Sequence, residues 1–219
     1  KKVTLELGGK SPNIILDDAN LDTAALGALF ATFLHQGQIC ESGTRVLVHE
    51  KIHDQLIEKM IAGIQRIQIG DTMDPTTGMG PLVSAAQRET VEKYVGIGKE
   101  QGAKCVVGGK RPAAMNKGYY FEPTIFDDVD NKMRIAQEEI FGPVVSVIRY
   151  KDEDEAARIA NDSVYGLGGA VWSANKDRAV AVAKRIETGT VWINDYHMIN
   201  LRFPFGGYKQ SGVGRELGK

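Results

Sequence analysis

Two rhythms alternate along the chain. Short runs of aliphatic and β-branched residues recur at Val3 to Leu7, Asn13 to Leu16, Val46 to Val48, Lys104 to Val107, Pro143 to Tyr150, Leu167 to Trp172 and Thr190 to Ile193. Each predicts a strand. Between them apolar residues take helical spacing. Leu21, Ala25, Ala28, Leu29 and Thr32 form one stripe in a helix from Leu21 to Leu34, and Leu56, Ile57, Met60, Ile64 and Ile67 form another over Ile52 to Ile67. Further helices are expected from Ser84 to Gln101, Asp152 to Asn161 and Lys176 to Ile186. Asp17, Asp18 and Asn20 offer N-cap chemistry to the first helix, and Ser84 with Gln87 and Asp152 with Glu155 have capping-box spacing. Gly102 stops the third helix, Gly70 to Pro81 reads as a long loop, Tyr119 to Phe126 as broken extended chain, and the glycine-rich tail from Pro204 as loop.

Val144, Val145, Val147 and Ile148 leave no polar face, which marks a strand covered on both sides. Strands alternating with helices of this length need crossover connections. The expected fold is therefore α/β, a three-layer αβα arrangement around a mostly parallel sheet. Neither a repeat nor a linker divides the 219 residues, so a single domain over 1–219 is expected.

Charge narrows the function. Lys plus Arg (27) nearly balance Asp plus Glu (28), for a net charge of -1. That disfavours a basic nucleic-acid surface and a polybasic membrane anchor. No apolar run approaches the roughly 20 residues of a membrane span. Two cysteines without a paired framework point to a reducing compartment, and a cytoplasmic location is expected. The chain opens directly on strand-like sequence with no signal-peptide pattern, so it reads as part of something longer.

The chemistry concentrates at Gly37 to Arg45. Cys40 stands in a polar, glycine-flanked turn between a helix and a strand, where a thiol can meet solvent and substrate. The plainer reading is a half-buried inert thiol. His35 is a nearby base only if the fold brings it to Cys40. Cys105, in a strand-like run, reads as an inert core thiol. His35, His49, His53 and His197 lack metal-ligand spacing and read as surface or helix-start residues.

Glu6 lies at a strand end, where α/β folds gather site groups, although a solvated carboxylate is the commoner fate there. Gly8-Gly9-Lys10-Ser11 is not a phosphate loop, because its required first glycine falls on Thr4. Glu139 and Phe141 precede the most apolar strand, a carboxylate for a sugar hydroxyl and a ring for a flat cofactor. Tyr196, Phe203 and Phe205 sit in irregular chain and suggest a pocket wall.

Taken together these stretches resemble the aldehyde dehydrogenase superfamily. Glu6-Leu7-Gly8-Gly9-Lys10-Ser11-Pro12 is similar to its glutamate signature and Gly37-Gln38-Ile39-Cys40 to its cysteine signature. Glu139-Ile140-Phe141-Gly142-Pro143 and the run from Pro204 to Glu216 match two further motifs, so the resemblance covers essentially the whole chain. It implies an NAD-dependent oxidation of a small-molecule aldehyde to an acid, with NADP as the other possible nucleotide. Cys40 is then the nucleophile and Glu6 the base that activates water. Glu139, Phe141, Leu7 and Gly8 face the cofactor, and Ile39, Glu41, Phe203 and Phe205 line the substrate pocket. No metal is implied.

The resemblance also implies a catalytic domain lacking its cofactor-binding half and its C-terminal oligomerisation tail. Such a chain is expected to bind no NAD by itself and to be inactive as a dehydrogenase. Its longer parent is expected to be a homodimer or homotetramer. A coenzyme A-dependent acylating relative and a non-catalytic structural relative are the alternatives, and retention of Cys40 and Glu6 speaks against the second. Trp192 to His197 resembles betaine-aldehyde-type members, but Phe205 stands where many of those carry tryptophan, so the expected substrate stays a broad aldehyde class.

Overall fold

The structure is a computed structural model, and it describes residues 1–218. A seven-stranded sheet carries the architecture. Its strands are β2 (Pro12–Ile15), β3 (Arg45–His49), β4 (Lys104–Val107), β5 (Thr124–Asp127), β6 (Val144–Tyr150), β8 (Gly168–Trp172) and β9 (Thr190–Ile193), in the order β4-β5-β6-β3-β2-β8-β9. Every neighbouring pair is parallel except β4 with β5.

Strand alternation divides the core into two. Ile14, Leu47, Ile148 and Val171 point to one face, while Ile15, Val46, Val48, Val145 and Val147 point to the other. Helices α1 (Leu21–Phe33) and α2 (His53–Ile64) cover the second face through Ala25, Leu29, Leu56 and Met60. Helices α3 (Ala85–Glu100), α5 (Glu153–Asn161) and α6 (Lys176–Ala183) cover the first through Val91, Val95, Ile159 and Val182. The expected three layers and mostly parallel sheet are therefore present.

The differences lie at the ends of elements. A short helix, α4 (Arg134–Gln137), has no sequence signal of its own. The second helix stops at Ile64 rather than Ile67, and a 3-10 turn (Glu50–Ile52) precedes it. The predicted first strand shrinks to β1 (Leu5–Glu6), which lies outside the main sheet. It pairs with β11 (Gly212–Val213) from the tail, while β10 (Tyr208–Lys209) pairs with β7 (Tyr165–Gly166). The tail is thus tied down rather than loose. Ser211 accounts for much of this: its Oγ donates to Gly8 O at 2.7 Å, accepts from Gly166 N at 2.9 Å, and its carbonyl accepts from Leu7 N at 3.0 Å.

Two capping boxes form only by half. Ser84 and Asp152 accept from Gln87 N and Glu155 N as expected. The Gln87 side chain does not reach back. Its Nε2 donates to Ile140 O at 2.9 Å and Phe141 O at 2.7 Å, pinning the turn that holds Glu139. Glu155 turns instead to Lys151 N, at 2.8 Å.

Arg45, the first residue of β3, fixes the chain beyond the Cys40 turn. Its buried guanidinium donates to Lys10 O, Asn131 Oδ1, Ile159 O and Ala160 O at 2.7 to 3.3 Å. The last two carbonyls end α5, where a cation is favoured. Burial lowers its pKa to about 10, so it remains charged at neutrality.

Candidate active site

Cys40 follows a 3-10 turn (Leu34–Gly37) that ends α1. The chain then folds back: Gly43 N donates to Ala31 O at 3.0 Å, and Thr32 Oγ1 donates to Gly43 O at 3.2 Å. This holds the turn against the helix end and leaves Cys40 half-buried. The Glu6 segment enters β2 beside it. A side chain on Gly9 would run into the carbonyl of Cys40, so only glycine lets the two stretches approach this closely.

Both stretches lie before their strands, not after them. Glu6 precedes β2, Cys40 precedes β3, and Glu139 to Pro143 precede β6. The candidate site therefore occupies the amino edge of the parallel sheet. The expectation that Glu6 closes a strand at the usual carboxyl-end crevice is corrected. Glu6 ends a two-residue strand outside that sheet, and the parallel strands begin just beyond it.

The Glu6 carboxylate oxygens are buried without a hydrogen-bond partner among the described residues. Gly206 from the tail closes over them, and a Cβ there would stand 3.2 Å from Oε1. Desolvation, followed by the charge of Glu216, raises the Glu6 pKa, and the Glu41 charge adds to it. Arg215 opposes these effects. Glu139 is tethered: its Oε1 accepts from Gly9 N at 3.1 Å, and its Oε2 lies against Gly8. Burial raises its pKa, with the Gly9 N–H and the Lys10 charge pulling the other way. Phe141 is exposed and takes a positive φ of 55°, an uncommon backbone for an aromatic residue. Leu7 is exposed beside this edge and Gly8 half-buried.

Among the described residues the thiol has one side-chain partner, Glu41, with Sγ 3.3 Å from Oε2. His35 is not among its partners. Burial, then the Glu41 charge, push the Cys40 thiol up to about 12, although the N–H groups of Cys40 and Glu41 pull downward. Cys40 is therefore a protonated thiol at rest and needs a base to attack. Cys105, half-buried in β4, is also raised by burial and stays protonated.

His197 overturns its reading as a surface histidine. Its side chain is buried, with Nδ1 3.1 Å from Glu41 Oε1 and Nε2 3.1 Å from Ala31 O. Tyr196, fully buried, donates its hydroxyl to Glu41 O at 2.8 Å. Neither link has a sequence signal, because the partners are 155 and 156 residues apart.

Beyond His197 the chain opens a cleft of about 730 Å³. Trp192, Met198, Ile199, Leu201, Phe203 and Phe205 supply most of its apolar wall. Phe203 is exposed at its mouth and Phe205 is half-buried. Ile39, half-buried, adjoins Cys40 in the turn.

The family model described as "Aldehyde dehydrogenase family" matches residues 1–219. The chain belongs to the aldehyde dehydrogenase family. A betaine aldehyde dehydrogenase of Bacillus subtilis (strain 168) is 51% identical over 221 residues, covering 100% of this chain and 45% of that protein. Another from Brucella melitensis biotype 2 is 50% identical over 220 residues, with the same coverage. A crystal structure of a betaine aldehyde dehydrogenase from Staphylococcus aureus in complex with NAD+ superposes with a TM-score of 0.98 at 47% identity, over 100% of this chain and 44% of that one. The chain thus spans less than half the length of these aldehyde dehydrogenases. No described helix is long and apolar enough to cross a membrane. No group of three or more metal-ligating side chains occurs among the described residues.

Proposed function

We propose that the chain carries the nucleophilic half of an NAD-dependent aldehyde dehydrogenase site, with Cys40 as nucleophile and Glu6 as the base for water. The observation that carries this reading is the close approach of the Cys40 backbone to Gly9, three residues after a Glu6 carboxylate that is buried and unpartnered among the described residues. A raised carboxyl pKa suits general-base work nearer neutrality than an ordinary glutamate.

Cys40 adds to the aldehyde carbon to give a tetrahedral adduct and, after oxidation, holds the acyl group as a thioester. Glu6 removes a proton from the water that hydrolyses it. The residues toward the cofactor fit a nicotinamide nucleotide. Glu139, fixed by the Gly9 N–H, keeps an oxygen for a ribose hydroxyl, and the exposed Phe141 ring offers a flat apolar surface beside Leu7 and Gly8. The chemistry such a nucleotide supplies when bound is hydride acceptance. NAD is preferred to NADP because the solved relative is described in complex with NAD+.

Retention of Glu6 favours water over coenzyme A as the acyl acceptor. The cleft walled by Phe203 and Phe205 takes the aldehyde substituent. The substrate class includes the betaine aldehyde that names the relatives, and the longer enzyme works as a homodimer or homotetramer in the cytoplasm.

Hydrolysis of an activated ester tests the nucleophile, because acyl transfer to a thiol needs no hydride acceptor. The chain is expected to turn over p-nitrophenyl acetate slowly, and Cys40→Ala to abolish it. An unchanged rate in Cys40→Ala would remove Cys40 from the mechanism.

A further inference from the structure

Cys40, Glu41 and His197 form a hydrogen-bonded line: Glu41, expected in the substrate-pocket wall, is buried away from the cleft lining and turns to the thiol and the imidazole instead. The line begins at the thiol, passes through the Glu41 carboxylate and ends at a carbonyl of α1. His197 Nε2 lies 3.1 Å from Ala31 O, which only accepts. Its Nδ1 lies 3.1 Å from Glu41 Oε1. Glu41 Oε2 is then left to the thiol, at 3.3 Å. The carboxylate is held on both sides and from its own backbone, through the Tyr196 hydroxyl on Glu41 O. His197 takes a φ of 63°, an uncommon conformation kept here by two ring contacts and by edge-on packing against Phe30 and Tyr196.

We propose that Glu41 is the catalytic base for Cys40 itself, and that His197 is the residue that positions its carboxylate. In this step the Sγ–H bond breaks and its proton passes to Glu41 Oε2. The freed sulphur pair forms the bond to the carbonyl carbon, and the C=O π pair moves onto oxygen. Glu6 has no contact with the thiol among the hydrogen bonds of the site, so the two carboxylates divide the work. Glu41 serves the sulphur and Glu6 serves the water.

Electrostatics agree with that division. Burial opposes ionisation of Glu41, but hydrogen bonds from His197, from its own backbone N–H and from Cys40 outweigh it and keep the carboxyl below its usual range. An ionised base thus touches a protonated nucleophile. The titratable groups facing Glu41 are Cys40, His197, Tyr196 and, through its charge, Glu6.

The proposal rests on Cys40 as nucleophile, but its test reads the thiol directly. Alkylation of the 219-residue chain by iodoacetamide is followed across pH, with peptide mass mapping to separate Cys40 from Cys105. A neighbouring base gives the Cys40 rate a flat region, from the carboxyl titration up to where free thiolate takes over. Glu41→Gln keeps the shape of the side chain but cannot accept the proton. It is expected to abolish the flat region, so that the rate rises about tenfold per pH unit throughout. At about pH 6 the rate falls by about 10²-fold, the usual contribution of a positioned base. At alkaline pH it exceeds the parent rate, because the neighbouring negative charge is gone.

Crossing profiles support the proposal, and parallel profiles overturn it, since a purely structural role changes the rate without its slope. His197→Phe should shorten the flat region from its acid side, whereas His197→Gln, which retains an N–H donor, should keep it. Identical profiles for those two variants would remove His197 from the proposal. Failure of the nucleophile reading shows separately, as ester hydrolysis surviving in Cys40→Ala.

Discussion

Glu6 and Glu41 are two carboxylates at one site whose surroundings push them in opposite directions. Among the described residues Glu6 has no hydrogen-bond donor and is raised, while Glu41 has three and is lowered. Groups tuned apart in this way suit different proton transfers. If Glu6 serves only the water, Glu6→Gln should spare acylation of Cys40 and block release of the acyl group. The expected outcome with p-nitrophenyl acetate is a burst of one nitrophenol per chain, then turnover slowed by about 10²-fold or more. Loss of the burst itself would place Glu6 in the thiol step instead. The stretches around Cys40, Glu6 and Glu139 stood out in the sequence because each is a local motif with its own glycines, and the structure places all three before strands of the sheet. The Glu41–His197 contact did not, because no local pattern reports a pairing across 156 residues.

Element ends carry the next level of specification, and they are where pattern reading failed. Periodicity located α1, α3 and β6 nearly to the residue, since burial of a stripe or face decides those positions. It could not reveal that Gln87 leaves its cap to hold the Phe141 turn, nor that β1 pairs with the tail, because both depend on distant partners. The start of α2 shows the same dependence. His53 is buried, with Nδ1 2.7 Å from Asp54 Oδ1 and Nε2 2.8 Å from Asp127 Oδ1 in β5. Desolvation lowers its pKa, yet the Asp127 and Asp54 hydrogen bonds outweigh it and the net shift is upward. Asp127 is shifted down in turn: burial opposes this, and the His53 bond and the Asp128 N–H overcome it. A raised histidine stabilises the fold fully below its unfolded pKa of about 6.5, and that contribution fades as pH rises through the folded value. The Asp127 contribution is lost on the other side, as pH falls through its own lowered pKa. His53→Gln is therefore expected to cost about 1–2 kcal/mol near pH 6 and clearly less near pH 9. Urea unfolding at the two pH values measures it, and a cost that grows with pH would contradict the ion pair.

At the scale of the whole molecule, the two edges of the sheet do different jobs. The candidate site residues Glu6, Cys40 and Glu139 gather at the amino edge, whereas α1, α2, α5 and α6 all begin at the carboxyl edge. The N-termini of α1, α3, α5 and α6 are capped by Asn20, Ser84, Asp152 and Asn175 from within the chain. Three acidic residues in the first turn of α5 would repel phosphate as well. A pyrophosphate needs free N–H groups at a helix N-terminus. Helices α2 and α4 have no side-chain cap, but α2 starts at the carboxyl edge, opposite the edge that Cys40 precedes, and α4 is a single turn. On the proposed reading Glu139 and Phe141 meet the ribose and nicotinamide, and none of these capped helix starts offers free N–H groups to a pyrophosphate. The stretches around Glu139 and Phe141 stood out in the sequence as local motifs, while the capping of each helix start was settled only by the fold. Given NAD+ and an aldehyde, the 219-residue chain is expected to yield no absorbance at 340 nm above a blank. The same preparation should hydrolyse p-nitrophenyl acetate through Cys40, which shows that the nucleophile is intact. NADH forming as fast as the ester is cleaved would mean that this half orients the cofactor unaided. The exposed apolar residues Leu7, Phe141 and Val213 would then form part of a nucleotide surface that this chain completes by itself.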